Sequence, residues 1–287
     1  MSSACDSCPS KDGCTSQNTC PTANGSAAQA PAKEPLSSGS KITKVIGIAS
    51  GKGGVGKSFV TSVLAVQLAR KGLKVGIMDA DVTGPSIPQS FGFTENLQGT
   101  PDGYIIPVVS KTGIKAVSVN LMLDNKEAPV IWRGPVLNSL VRQFWGQTDW
   151  GTLDVLLIDM PPGTGDVPLT VFQALPIDGI VLVATSQDLV SMIVNKARNM
   201  ASMMNVPVLG LVENMSFIKC PDCGKEIRLY GDGSNLEKSA AEIGSKVLDR
   251  LPLDPEVTKL VDSGKAEDVA EDMLTGTVGM CLELIGS

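Results

Sequence analysis

The chain contains no histidine. That excludes Ser–His–Asp and Cys–His catalysis as usually built, and any metal site with an imidazole ligand. General base work therefore falls to carboxylates or positioned water, and soft metal binding to cysteine alone. Long apolar stretches are missing too: no uncharged run approaches the ~18 residues of a membrane span. Lys and Arg number 24 against 30 Asp and Glu, for a net charge of -6. A protein that coats nucleic acid draws its affinity from cations on phosphates, so this balance speaks against one. The opening MSSACDSCPS has neither the basic region nor the apolar core of a secretory signal. The expected setting is cytoplasmic, with no nucleic-acid partner and no membrane partner.

What is present suffices for one large core or two small ones: 287 residues, 43% of them hydrophobic. Residues 1–40 are Ser, Ala, Pro, Gly and Cys with almost no large apolar side chains. Such a segment buries too little surface to offset its ordering entropy and is expected to be a disordered tail. The folded domain is expected over 41–287. KVIGIAS (44–50), KVGIMDAD (74–81), LDVLLIDMPP (153–162), GIVLVATS (179–186) and PVLGLVENMS (207–216) read as buried strands. YIIPVVS and IKAVSVNLM read as strands of a hairpin or meander. Helical spacing follows over 57–71, with Val60, Val63, Leu64 and Leu68 on the apolar side, and again over 189–204. Strands alternating with helices predict an α/β fold with a doubly wound, mostly parallel sheet, its ligands at the strand C-termini.

Between the first strand and the first helix stands Gly51-Lys52-Gly53-Gly54-Val55-Gly56-Lys57-Ser58. Strand, G-x-x-x-x-G-K-S, helix is the context of a phosphate-binding loop. The glycines let backbone N–H groups wrap phosphates, and the helix N-terminus adds partial positive charge. Lys57 is expected to neutralise the β and γ phosphates and Ser58 to ligate Mg²⁺. Asp159 ends one strand, where it can hold Mg²⁺ through water. Asp79 and Asp81 end another. Acids at strand ends are often loop caps, but three of them converge here on the face that carries the loop. With no histidine, Asp81 is the candidate to orient the attacking water, and Asp79 to support it or the metal. One lysine serves such a loop, so Lys52 needs its own account. It is either a solvated surface charge or a cation that reaches a nucleotide on a second subunit, as an arginine finger does. The second use demands a face-to-face homodimer.

Seven cysteines remain. Cys220 and Cys223 form a C-x-x-C pair, which is half of a four-ligand set. Cys281 reads as a packed residue of a C-terminal helix. The missing ligands must then come from the tail or a second chain, and a homodimer supplies four thiolates on its two-fold axis. A structural zinc across the dimer and a redox pair are the alternatives. The tail carries its own set, Cys5, Cys8, Cys14 and Cys20, able to fold around a cluster or zinc, or to serve as a labile acquisition site.

GKGGVGKS resembles the deviant phosphate loop of MinD/ParA-like NTPases. Together with DADVTGPSIP (79–88), WRGP (132–135), DMPPGTGD (159–166), ENMSF (213–217), CPDCG (220–224) and LPLDPEV (251–257), it resembles the Mrp/ApbC-type iron–sulfur cluster carrier ATPases over about residues 41–287. The resemblance implies ATP, Mg²⁺, a homodimer, a [4Fe-4S] cluster bridged between subunits, and apo iron–sulfur proteins as clients. It implies that Asn214 contacts adenine, with Pro252–Pro255, including Asp254, close by. Lys52 matches the signature lysine of the group. Some relatives carry an N-terminal four-cysteine motif. The Cys5, Cys8, Cys14 portion matches it, but its fourth cysteine lies far upstream there, and Cys20 would have to substitute. The competing reading is a spatial-positioning ATPase of the MinD/ParA kind, its cysteines holding structural zinc. Membrane binding of that kind needs a basic amphipathic C-terminal helix. After Lys265 this chain has no Lys or Arg, and Glu267, Asp268, Glu271, Asp272 and Glu283 make its end acidic. Electron transfer in the manner of nitrogenase reductase is a third, but there the ligands are dispersed single cysteines.

Overall fold

The computed structural model describes residues 33–81, 84, 86–122, 134–163, 165–185, 190–228, 234–270 and 272–286. Most of the expected tail, with Cys5, Cys8, Cys14 and Cys20, lies outside these. The compact unit runs from Lys33 to Ser287, so the boundary expected at Lys41 moves upstream. Composition misled because what holds 33–40 is polar and distant in sequence. Lys33 Nζ donates to the carbonyls of Phe172 and Leu175 at 2.6 and 2.9 Å. Glu34 pairs with Arg142 at 2.7 Å, and its carbonyl accepts from Trp145 Nε1 at 2.9 Å. Ser37 Oγ donates to the Thr148 carbonyl.

The strands are β1 (Lys41–Ser50), β2 (Val75–Asp79), β3 (Gln98–Gly99), β4 (Ile105–Ile106), β5 (Val108–Val109), β6 (Lys115–Ser118), β7 (Thr152–Asp159), β8 (Gly179–Ala184), β9 (Val208–Lys219), β10 (Glu226–Arg228) and β11 (Val247–Pro252). The helices are α1 (Lys57–Arg70), α2 (Ile87–Phe91), α3 (Gly134–Gly146), α4 (Asp166–Ala174), α5 (Val190–Met203), α6 (Ser234–Glu242), α7 (Pro255–Asp262) and α8 (Thr275–Gly286). Among the described residues nine strands form one sheet, ordered β10-β9-β8-β1-β7-β2-β6-β5, with β11 also on β9. β1, β2, β6, β7, β8, β9 and β11 pair in parallel, and the antiparallel pairs are β10 on β9 and β5 on β6.

Two apolar layers flank this sheet. Leu140, Phe144, Trp145, Phe172, Leu236 and Ala240 from α3, α4 and α6 pack on one face. Val60, Val63, Leu64, Leu68, Ile87, Val261, Val278 and Cys281 from α1, α2, α7 and α8 pack on the other. Parallel strands covered on both faces read as continuous apolar runs, which is why β1, β7 and β8 were visible in the sequence. α1 is buried nearly all round, since it lies under both α2 and α8. The register sets Asp79 beside Asp159 at the C-terminal ends of β2 and β7. Among the described residues no helix is long and apolar enough to cross a membrane.

Candidate functional site

The loop between β1 and α1 turns into the helix at Gly56, where φ is 80°. A Cβ there would collide with the side-chain nitrogen of Asn214, so only glycine fits. Lys57, the first residue of α1, is 5 % exposed. Its ammonium lies 2.9 Å from Asp159 Oδ1 and 3.4 Å from Asp81 Oδ2. Burial alone would lower the Lys57 pKa, but the Asp159 and Asp81 carboxylates outweigh it and raise it. Ser58 Oγ donates to Asp159 Oδ2 at 2.5 Å. Oxygen donors in this arrangement suit Mg²⁺, which takes hard ligands and keeps several waters.

The three acids divide in a way the sequence did not reveal. Asp81 lines a cavity of about 490 Å³, and Asp79 and Asp159 lie fully buried behind it. Burial, then the neighbouring Asp159 charge, holds the Asp79 carboxyl well above the usual range, although Lys57 and Ser118 work the other way. Asp79 accepts from Ser118 Oγ at 2.9 Å and from the Asp81 N–H at 3.2 Å. It thus supports the backbone that carries Asp81. Two polar partners escaped the sequence reading. Thr61 Oγ1 lies 2.8 Å from Asp159 Oδ1, one helical turn after Lys57, and that spacing was a usable signal. Ser118 reaches Asp79 through the pairing of β2 with β6, which no local pattern announces.

Residues 53–59 form one side of the cavity and Pro162 another; Asn214, Met215, Pro252, Leu253, Asp254, Thr258 and Asp262 line it as well. Its size falls in the range of small-ligand and cofactor pockets. Asn214 and the Pro252–Asp254 segment are therefore brought together with the loop. Asp254 has a structural task as well: its Oδ1 accepts from the N–H groups of Glu256 and Val257 and so caps α7. Gly51 and Lys52 are not part of the cavity wall. Lys52 is half-buried, and its carbonyl accepts from Ser50 Oγ at 3.0 Å.

β9 leads from this cavity to the cysteine pair. β10 folds back on its end, with Lys219 opposite Glu226 and Phe217 opposite Arg228. In the turn, the Cys220 N–H donates to the Lys225 carbonyl and the Gly224 N–H to the Cys220 carbonyl, both at 2.9 Å. Gly224 permits this with φ 70°. The backbone N–H of Cys223, then that of Asp222, then the Cys223 thiol donate to the Cys220 sulfur and lower its pKa. Hydrogen bonds that favour the thiolate prepare a sulfur for metal binding. Cys223 is exposed. Among the described residues no three Cys, Asp or Glu side chains gather into a metal-binding group, so the pair stands as two ligands. Cys281 is 0 % exposed on α8, as its packed reading expects, and burial pushes its thiol up to about 12.

Several known proteins are similar to this chain. A family model described as the NUBPL iron-transfer P-loop NTPase, of the ParA group, matches residues 41–278. An iron-sulfur cluster carrier protein of Clostridium perfringens is 46% identical over 280 residues, which is 94% of this chain and 96% of that protein. One from Methanocaldococcus jannaschii is 46% identical over 91% of this chain and 87% of its own. A nucleotide-binding protein of Archaeoglobus fulgidus, solved in complex with ADP and with cobalt found in it, superposes with TM-score 0.73 at 41% identity, over 81% of this chain and 90% of that one. MinD in its complex with MinC from Aquifex aeolicus gives TM-score 0.60 at 18% identity, over 85% and 96%, and shares the fold.

Proposed function

The chain belongs to the NUBPL iron-transfer P-loop NTPase family, and from that premise we propose that it is an ATP-dependent carrier of a [4Fe-4S] cluster. The cluster is cargo, held between two copies of the chain and handed to apo-proteins. The observation that carries this reading is the exposed turn at Cys220–Cys223. It offers two thiol ligands, one already biased to thiolate, at the end of a strand that also lines the nucleotide cavity. Two such turns on a two-fold axis complete a four-thiolate set.

In the nucleotide site, Lys57 leaves Asp159 and Asp81 for the β and γ phosphates. Ser58 and Asp159, already in contact with each other, would hold Mg²⁺. Bound Mg²⁺ supplies neutralisation of the phosphate charge. Asp81, the one acid of the three on the cavity wall, orients the attacking water, and Asp79 fixes the backbone beneath it. Lys52 acts on the partner's nucleotide, which agrees with its place off the wall of its own cavity. Mixing Lys52→Ala with Asp81→Asn chains is then expected to restore about one active site per mixed dimer. Phosphate release at several mixing ratios measures it. No recovery, with subunit exchange demonstrated, would mean that Lys52 works in its own subunit.

Iron counting tests the cargo. After anaerobic purification the full chain is expected to carry about twelve iron atoms per dimer if the tail cysteines hold a cluster on each chain, and about four if they do not. Deleting residues 1–32 should bring either value to about four with ATPase activity retained. The cut is placed there because 33–40 packs on the domain. Absence of iron and sulfide from the truncated, reconstituted protein would overturn the carrier reading.

A further inference from the structure

Four features of β9 have no role in the function proposed so far. Glu213 is fully buried in mid-strand, and its Oε2 accepts from Arg250 Nε at 2.7 Å; the same guanidinium reaches Glu237 on α6 at 2.6 Å. Two residues further on, Met215 sits at φ 55°, a conformation that side-chain-bearing residues seldom adopt. Around it the pairing with β11 loses register: the step from Arg250 to Pro252 spans Glu213 to Phe217 on β9. Within this jog Ser216 Oγ is buried and has no hydrogen-bond partner among the described residues. A strand drawn for sheet stability alone would have none of these.

The jog lies between the two sites. Upstream, Asn214 Nδ2 donates to the Val55 carbonyl at 2.9 Å, so the strand is bonded to the phosphate loop itself. Asn214, Met215, Pro252 and Leu253 all line the cavity. Downstream, the Leu253 N–H donates to the Phe217 carbonyl at 2.8 Å. Phe217 opens the pairing with β10, and Cys220 follows directly on the last residue of β9. From Asn214 to Cys220 is about 20 Å of strand.

We propose that β9 links the two sites mechanically: nucleotide in the cavity resets the jog at Met215–Ser216 and thereby the environment of the Cys220–Cys223 pair. The Arg250–Glu213 pair is the fixed point. It pins the strand just before the jog, so that displacement runs outward to the hairpin and not back into the sheet. Arg250 and Glu213 are positioning residues that touch neither nucleotide nor cargo. The inference rests on the reading of the cavity as a nucleotide site.

The test is site-resolved alkylation of the full, reduced chain with iodoacetamide under anaerobic conditions, quantified by peptide mass spectrometry, with and without MgADP. Saturating MgADP is expected to change the rate at Cys220 and Cys223 by at least about fivefold, with Cys281 as an unreactive internal reference. The paired variant Glu213→Gln/Arg250→Gln leaves no lone buried charge. It should still bind MgADP by calorimetry, while its rate ratio falls to within about twofold of unity. Unchanged thiol rates in a wild-type chain that demonstrably binds MgADP would overturn the link. A full effect persisting in the paired variant would overturn the role of the fixed point. Failure of the wild-type chain to bind MgADP at all would overturn the nucleotide reading, and the link with it.

Discussion

Replacing Lys57 with alanine is expected to lower ATP turnover at least about a hundredfold, the scale on which a site loses one preorganised group aimed at developing charge. Lys57 is the buried cation at the phosphate loop, within 2.9 Å of Asp159 and 3.4 Å of Asp81. Its removal does more than vacate the phosphate counter-charge. Asp79 and Asp159, both fully buried, and Asp81 would share one corner of the fold without the cation that now offsets them. Breaking a buried pair by removing one partner costs about 3–5 kcal/mol. The nucleotide-free Lys57→Ala chain should therefore melt earlier at neutral pH. The sign of the pH dependence follows from Asp79, whose folded-state pKa is raised above the ordinary 3.8. Between those two values the folded chain binds more protons than the unfolded one, so stability falls as pH rises through the window. The deficit of the variant should accordingly shrink as the solution is acidified into that window. Phosphate release and thermal unfolding measure the two effects. Wild-type turnover in Lys57→Ala would remove the loop from the hydrolytic mechanism.

Changing Cys220 and Cys223 to alanine in the chain lacking residues 1–32 is expected to take iron from about four atoms per dimer to none. Transfer to an apo-acceptor should vanish with it. Nucleotide binding should survive, because the phosphate loop and its lysine sit on β1 and α1 while the cysteines sit on the β9–β10 hairpin. Removing either cysteine alone halves the thiolates on the axis from four to two, too few to close a cubane, so the single variants should behave nearly as the pair does. Stoichiometric zinc with no iron uptake in the unmutated truncated chain would favour a structural metal instead.

The fold was legible wherever one segment carried its own signal. β1, β7 and β8 are apolar runs with acids or glycines at their ends, and the phosphate loop is contiguous. What failed to show was whatever depends on two distant segments. The strand expected over 207–216 ends at Ser216. β9 continues to Lys219, since Phe217 and Ile218 find partners in β10 that no local rule could place. The same holds for 33–40, whose anchors sit more than a hundred residues away in α3 and α4. In the site, the three acids could be named from strand ends. Which of them faces the cavity depends on how the chain turns after Asp79, and only the geometry separates Asp81 from the other two.

The burial of Cys281 bears on what oxygen can do to this protein. A thiol pushed up to about 12 holds roughly one part in a hundred thousand as thiolate at neutral pH. Only the thiolate attacks a peroxide or a disulfide, and this one is also sealed from solvent. Cys281 is therefore a bystander to oxidation. Within residues 33–286, the first sulfurs to be lost on exposure to air are those of Cys220 and Cys223, already in contact with each other. Oxidation of that pair is expected to give a short-loop disulfide that a dithiol reductant reopens, while the core thiol stays unreacted.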